Sequence, residues 1–185
     1  MAIVIPYVKQ TWTDGSGGGT PISAARLGVL EEGILDVSQA PAVRVFHNAN
    51  QAIVTATPTA LAFNSERFDQ AGGSASTMHD TVTNNSRLTA IYAGIYLISG
   101  NVGWATDANG TYRQVTLRVN GATTIGDIVQ PPTPTAGFTR QSISMIYSMA
   151  VNDYVELLVT HDKGSNLNVL STANASPEFM MVRVG

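Results

Sequence analysis

The sequence has no cysteine and little charge, and both shortages restrict its chemistry. Without cysteine there is no disulfide framework and no thiolate nucleophile. Charged residues make up only 12% of the 185 residues, the formal net charge is -3, and the basic residues are scattered along the chain. Because general nucleic-acid binding needs a basic patch, these features argue against a nucleic-acid partner.

Long apolar runs of the kind that span a membrane are also missing. The first eight residues, MAIVIPYV, are apolar, but they lack a basic flank and are interrupted by Pro6. We therefore expect neither a signal peptide nor membrane insertion. Lysine and glutamate are scarce, whereas glycine, threonine, alanine, serine and asparagine are abundant, a composition typical of strands and turns.

The histidines do not form a metal-binding motif. His47, His79 and His161 lie far apart, and none belongs to a pair spaced as in His-Glu-x-x-His. The sequence therefore predicts no cofactor and no metal. Two alternatives stay open, because loop carboxylates and backbone oxygens could hold calcium and a threefold axis could gather three copies of one histidine.

Signatures of hydrolytic catalysis are absent as well. There is no Gly-x-Ser-x-Gly motif and no alternation of strands with helices. A glycosidase needs two carboxylates facing each other across a cleft. The pairs that are close in sequence, Glu66 with Asp69 and Asp153 with Glu156, are more simply interpreted as solvated turn and edge residues. We predict that the protein is not an enzyme.

Residues 1–40 have the composition of an arm that precedes the main domain. A short β-prone segment is followed by the glycine-rich loop TWTDGSGGGT, and Thr20 with Pro21 then provides a hydroxyl N-cap and a proline at the first helical position. The helix after it is short and must bury its apolar stripe against its own domain or a partner. We expect a partner, because the glycine loop and the SQAP linker isolate the helix. The stripe consists of Leu27, Leu30 and Ile34, and Trp12 lies in the loop.

From residue 41 the apolar pattern changes from helical to alternating. The longest apolar run lies between Ser86 and Trp104 and is rich in β-branched and aromatic residues, so we expect two short strands or one bent central strand there. Asn120-Gly121 is a strong signal for a hairpin turn. Eight to ten short strands without a helix among them predict an antiparallel sandwich or jelly roll.

The domain of residues 41–185 resembles a known family. The residues that carry the resemblance are RLTAIYAGIYLISGNVGW, FNSERFD upstream, and DYVELLV and SPEFMMVRVG downstream. They are similar to the C1q/tumour-necrosis-factor-like jelly roll, and most of all to its bacterial and phage members. The resemblance implies an all-β sandwich of about ten strands, a homotrimer around an apolar threefold axis, and no catalytic activity.

The resemblance also indicates which aromatic residues to consider at a trimer interface. Aromatic side chains on the inner sheet of this family pack around the threefold axis. That leads to Tyr96, Tyr154 and Phe179 as candidate subunit contacts. The alternative is that these three rings fill the sandwich of their own subunit.

The arm carries a second, independent resemblance. Its sequence WTDGSGGGTPISAARLGVLEEGI is similar to a short N-terminal module of tailed-phage structural proteins, which precedes displayed domains and acts as an attachment segment. This implies that residues 1–40 attach to a virion. The candidate attachment residues are Trp12, Leu27, Leu30 and Ile34.

Together the two parts predict a non-enzymatic bacteriophage structural protein on the virion surface, assembled in the host cytoplasm. Its partners would be its own copies and other virion proteins of the capsid, as a decoration protein or head fibre, or of the tail. The alternative is a receptor-binding module that holds a host-surface carbohydrate in exposed loops. A polysaccharide-depolymerising enzyme is a third, more remote option. The candidate loops are 70–80, 105–111, 130–138 and 161–166.

Overall fold

A computed structural model of the protein describes residues 27–31, 40–71, 77–133 and 137–185. Within these ranges the chain forms twelve β-strands, more than the eight to ten expected, because four of the strands are only two or three residues long. The strands are β1 (Ala42–Phe46), β2 (Gln51–Ile53), β3 (Thr59–Ala60), β4 (Ser65–Gln70), β5 (Arg87–Thr89), β6 (Gly94–Gly103), β7 (Arg113–Val119), β8 (Thr123–Gln130), β9 (Arg140–Met149), β10 (Tyr154–His161), β11 (Leu167–Val169) and β12 (Glu178–Arg183).

Apart from Ala40, the described part of the arm is a helical turn at residues 27–31, inside the predicted helix. The remainder of that helix lies outside the described residues, as do Trp12 and Ile34. Within the part of the chain that the structure describes, no helix is both long and apolar enough to cross a membrane.

The strands form two main sheets that pack face to face, with every pairing antiparallel. The first sheet has the strand order β4-β1-β12-β6-β9, and the second has the order β3-β10-β7-β8 with β5 also paired to β10. A third, small sheet joins β11 to β2. The first strand therefore pairs with the last, as expected for a jelly roll and not for a simple meander.

The stretch between Ser86 and Trp104 contributes one strand to each main sheet. β5 pairs with β10 in the second sheet, and β6 lies between β12 and β9 in the first. The alternative of two strands is thus correct in number, but only β5 is short. β6 is a ten-residue strand, and such a strand is about 33 Å long at about 3.3 Å per residue.

The hydrophobic core lies between the two sheets because side chains alternate along each strand. On β6 the even-numbered residues point inward and meet the inward residues of β7 and β10. Gly100 is required at the centre of this contact, since a Cβ atom there would lie 2.6 Å from Cδ1 of Leu157. The largest side chains of the core include Trp104, Tyr96, Phe63, Phe179 and Met78.

The register of the first sheet defines two ends of the sandwich. At the proximal end, where the chain enters from the arm, Arg183 N donates to Pro41 O at 2.9 Å and Ile95 N donates to Gly185 O at 2.6 Å. At the distal end, Gly103 pairs with Arg140 and Asn101 pairs with Glu178. The length of β6 separates these two ends.

Candidate functional site

An apolar patch covers the outward surface of the first sheet, on the side away from the core. Leu97 on β6 lies between Ile146 on β9 and Val182 on β12. Ile146 is 67% exposed, Ile95 is 44% exposed and Leu97 is 39% exposed. We call Ile95, Leu97, Ile146, Met180 and Val182 the assembly face. Contiguous exposed apolar residues on neighbouring strands are typical of surfaces that other protein covers.

The outward surface becomes polar towards the distal end. Ser144 Oγ donates to Ser99 Oγ at 2.8 Å, and beyond this pair Asn101 lies opposite Ser142. The assembly face itself contains no charged residue. The outward surface along β6, β9 and β12 therefore has an apolar half next to the proximal end and a hydrogen-bonding half next to the distal end.

The aromatic candidates for the interface lie elsewhere. Tyr96 and Phe179 are completely buried in the core, where the Phe179 ring lies 5.6 Å from the Phe63 ring. The Tyr96 hydroxyl donates to Tyr92 O at 2.8 Å, and burial raises the pKa of Tyr96. Both rings fill their own sandwich, the alternative given above, and offer no surface to a second subunit.

Tyr154 belongs to the second sheet, on β10. The guanidinium of Arg87 stacks over its ring at 4.0 Å from the centroid. Sequence reasoning missed the assembly face because Ile95, Tyr96, Leu97 and Ile98 are all apolar, so that alternation did not reveal which pair pointed outward. The exposed aliphatic residues of this strand, Ile95 and Leu97, are the direct neighbours of Tyr96.

A buried carboxylate links three strands of the first sheet near its distal end. The side chain of Glu178 on β12 is 1% exposed and lies between Arg44 Nε at 2.7 Å and Arg67 Nη2 at 3.0 Å. The Arg67 guanidinium also stacks on the Phe46 ring, 3.8 Å from its centroid. The two arginines come from β1 and β4, so the cluster fixes the edge of the sheet and leaves little free charge there.

His79 and the neighbouring carboxylates attach the chain before β5 to strand β4. The buried ring places Nδ1 2.9 Å from Glu66 Oε1 and Nε2 3.3 Å from Asn85 O. Asp69 accepts hydrogen bonds from the backbone N–H groups of Met78 and His79, and burial raises the pKa of Asp69 above its ordinary value. Glu66 and Asp69 thus hold a loop in place and do not face each other across a cleft.

The other two histidines make structural contacts. His161 is buried against Trp104, and its Nε2 lies 3.0 Å from Ile53 O while its Nδ1 accepts from Lys163 N at 3.2 Å. His47 Nδ1 accepts from Ala49 N at 3.1 Å. Among the described residues, no three His, Asp or Glu side chains come together in an arrangement that could hold a metal ion.

Two of the four predicted binding loops are joined to each other at the distal end. The Asp162 carboxylate accepts hydrogen bonds from Thr111 Oγ1 and from the backbone N–H groups of Thr111 and Tyr112, and these bonds lower its pKa to about 2. Lys163 Nζ lies 2.9 Å from Asp107 Oδ2. Loops 105–111 and 161–166 are therefore one fixed unit, whereas loops 70–80 and 130–138 lie partly outside the described residues.

A buried arginine that no sequence motif marks also holds this loop unit in place. Arg113 is completely buried, and its guanidinium donates to the backbone carbonyls of Tyr112, Asp107 and Asn109. Desolvation by burial lowers its pKa from the ordinary value. Nothing in the local pattern distinguishes this arginine from a surface arginine on an alternating strand.

The attachment residues are described only in part. Leu27 and Leu30 lie on the helical turn at 27–31, and both side chains are exposed. The predictions for Trp12 and Ile34 concern residues outside the described ranges. Val29 on the same turn is exposed as well.

Comparison with solved structures identifies relatives in fold. Murine APRIL at pH 5.0 superposes with a TM-score of 0.56 at 10% identity, covering 78% of this chain and 99% of its own. Eiger TNF from S. frugiperda superposes with a TM-score of 0.57 at 11% identity, covering 80% of this chain and 94% of its own. Murine APRIL at pH 8.5 gives a TM-score of 0.53 at 11% identity.

At these identities the likeness establishes the fold alone. The chain adopts an antiparallel β-sandwich of the jelly-roll type found in TNF proteins, as its sequence resemblance implied. No model of a known protein family matches the sequence, and no curated protein sequence matches it either.

Proposed function

We propose that the protein is a non-enzymatic structural protein of a bacteriophage virion. In this proposal three copies form a knob on the particle surface, and residues 1–40 attach it to the capsid or the tail. The observation that carries the proposal is the uncharged, exposed assembly face on a TNF-like jelly roll. The phage context rests on the sequence resemblance of the arm and of the domain.

The assembly face supports association between copies of the chain. Ile95, Leu97 and Ile146 together expose a large apolar area on two adjacent strands, and covering it stabilises an assembly by roughly 25 cal/mol per Å². A neighbouring subunit can also cover the Ser99–Ser144 pair next to this face without burying a charge. We infer a homotrimer, the association that the family resemblance implies.

The two ends of the sandwich support opposite roles. The arm joins β1 at the proximal end, so a knob attached through residues 1–40 directs its distal loops away from the particle. The exposed leucines at 27–31 supply an apolar contact for another virion protein. Attachment and outward display would then be properties of different ends of the molecule.

A second function has its own supporting observation. The distal end carries the fixed loop unit of residues 105–111 and 161–166 together with polar hollows beside the 172–176 turn. Fixed polar loops at the exposed end suit a host-surface or carbohydrate-binding module of the phage tail.

Measuring the mass of the purified protein in solution tests the trimer. Light scattering at micromolar concentration should give three times the mass of one chain, and a stable monomer would contradict the proposal. Electron microscopy of intact particles with an antibody against the protein then locates it. Label on heads or on tails decides between capsid and tail, and particles without label would reject a virion role.

Trp12→Ala tests the arm independently of the knob. We expect the variant to keep the wild-type mass but to lose binding to particles that lack the protein, because Trp12 is the largest apolar side chain of the glycine-rich loop. Tyr7→Ala, an aromatic change in the same arm, is the matched control. Equal particle binding by Trp12→Ala and wild type would remove Trp12 from the attachment surface.

A further inference from the structure

The distal end of the first sheet contains a groove that the assembly does not require. It has a volume of about 270 Å³ and lies between the ends of β6 and β9 and the 172–176 turn. A second hollow of about 210 Å³ lies on the other side of the same turn, next to Phe46 and His47. The two hollows flank one turn, as subsites for neighbouring units of a chain-like ligand would.

The floor of the groove is held rigidly. Gln141 accepts a hydrogen bond from Trp104 Nε1 at 2.8 Å and donates from Nε2 to Arg113 O at 2.9 Å and to Ile128 O at 3.2 Å. Gly103 N donates to Ser176 Oγ at 2.7 Å, which connects β6 to the turn. The floor therefore exists before any ligand arrives, and binding would not have to order it.

The rim of the groove, in contrast, consists of polar side chains without partners. Asn101, Ser142 and Asn174 line the groove, and their side chains make no hydrogen bond to any of the described residues. Amide and hydroxyl groups both donate and accept hydrogen bonds. Such groups, converging on one hollow, match the hydroxyl groups of a sugar.

The charge of the groove defines the ligand further. Among the described residues, Arg140 is the only charged one that lines the groove, and its guanidinium lies 5.8 Å from the centroid of the exposed Phe138 ring. The nearby Glu178 already has two arginine partners. A single free guanidinium suits one carboxylate, which it can bind through two hydrogen bonds.

We propose that this groove binds an acidic saccharide, a sugar that carries a carboxylate, at the surface of a host cell. The inference rests on the second function proposed above and gives it a site. Arg140 binds the carboxylate, and Asn101, Ser142 and Asn174 bind the hydroxyl groups. The groove lies at the end opposite the arm, beyond the Ser99–Ser144 pair that a neighbouring subunit would cover. A trimer attached through the arm would therefore present three open grooves away from the particle, which raises avidity.

Saturation-transfer NMR on the full-length protein tests the proposal with three probes: glucuronic acid, galacturonic acid and N-acetylneuraminic acid. At least one of them should receive saturation from the protein at about 10 mM, and glucose should bind about tenfold more weakly, because it lacks the carboxylate that Arg140 binds. No transfer to any of the three acids, or equal transfer to glucose, would overturn the proposal.

Variants locate the binding in the groove. Arg140→Gln removes the cation, and Asn174→Asp keeps a residue that tolerates the left-handed φ of 59° while it adds a repelling charge. Each should weaken binding of the acidic sugar about tenfold. The matched control is Arg183→Gln at the proximal end, which should bind like wild type. Loss of binding in the control, or unchanged binding in both groove variants, would reject the site.

The same samples separate this inference from the assembly. Their masses are measured by light scattering before the NMR experiment. A trimer that binds no acidic sugar rejects the groove and leaves the proposed assembly intact. A monomer that binds the sugar, with loss in Arg140→Gln, rejects the assembly and supports the groove.

Discussion

Glu178 combines nearly complete burial with two cationic partners from different strands. Arg44 and Arg67 are each about a third exposed, so water still screens part of their interaction with the carboxylate. The side chain of Glu178 itself is only 1% exposed. Its role is to hold β1, β12 and β4 in register at the distal end, next to the groove.

Replacing this carboxylate should destabilise the fold. We expect Glu178→Gln to lower the free energy of unfolding by about 2 kcal/mol, less than for a fully buried pair because both arginines are partly solvated. Urea unfolding followed by Trp fluorescence measures the change. Asp127→Asn on the exposed face of β8 is the control and should stay within about 0.5 kcal/mol of wild type. An unchanged Glu178→Gln midpoint would mean that the cluster adds nothing to stability.

The Asp162 carboxylate makes the free energy of unfolding depend on pH in the acid range. Its folded-state pKa of about 2 lies below the ordinary value of 3.8, because Thr111 and Tyr112 donate hydrogen bonds to the ionised carboxylate. The stabilisation is therefore present above pH 4 and is lost as the pH falls from about 4 through about 2. In Asp162→Asn the melting temperature should fall less steeply as the pH is lowered from about 4 to about 2. Thermal melts recorded by circular dichroism at a series of pH values measure this. If the melting temperatures of variant and wild type fall equally in acid, Asp162 does not cause this pH dependence.

At the scale of elements, the close contact between β6 and β10 depends on Gly100. The methyl group of Gly100→Ala would lie 2.6 Å and 2.8 Å from the two terminal carbons of the buried Leu157. We expect a loss of about 2 kcal/mol in the free energy of unfolding, as for other overpacked cores. Urea unfolding measures this loss.

Gly28→Ala is the matched control for that change. A Cβ atom on Gly28 would meet nothing within 4 Å on the helical turn at 27–31. Its unfolding midpoint should equal that of wild type. If both alanine variants unfold at the wild-type midpoint, Leu157 can move aside and the contact is looser than its geometry indicates.

Elements with a local signal could be predicted from the sequence, and elements decided by long-range packing could not. Asn120-Gly121 forms the β7–β8 turn with φ values of 51° and 68°, which is the geometry that this dipeptide favours. The β-rich stretch at Ser86–Trp104 was identified, but its division between two sheets depends on partners far along the chain.

The candidate site was harder to predict because its signals are ambiguous or remote. Four consecutive apolar residues on β6 leave the outward side undetermined, so the sequence does not show that Leu97 is exposed and Tyr96 buried. The groove joins Asn101, Arg140 and Asn174, which no spacing rule connects. Only the folded strands bring these three side chains to one end of the sheet.

At the scale of the whole molecule, the assembly face leads to a prediction about the mass of the protein in solution. Leu97→Asp places a charge at the centre of the face, and burying an unpaired charge is costly enough to dissociate the proposed trimer. Light scattering should therefore give the mass of a monomer. Since Leu97 is exposed in the single chain, circular dichroism should remain that of the folded protein.

Val129→Asp is the control for this change. Val129 is also an exposed aliphatic residue, but it lies on β8 in the second sheet. This variant should keep the mass of wild type. Dissociation by Val129→Asp and not by Leu97→Asp would move the interface to the other side of the sandwich.

The position of β1 has a mechanical consequence. β1 is the strand that continues directly from the arm, and it is paired on one side with β12 and on the other with β4, antiparallel to both. If the arm is held and the distal end is pulled, the force runs along the strand while its hydrogen bonds lie across it. Those bonds are then loaded in shear and share the force, whereas a strand peeled from its end loses them one at a time. An arm held in this way would pull on the sandwich through the strand arrangement that best resists extraction.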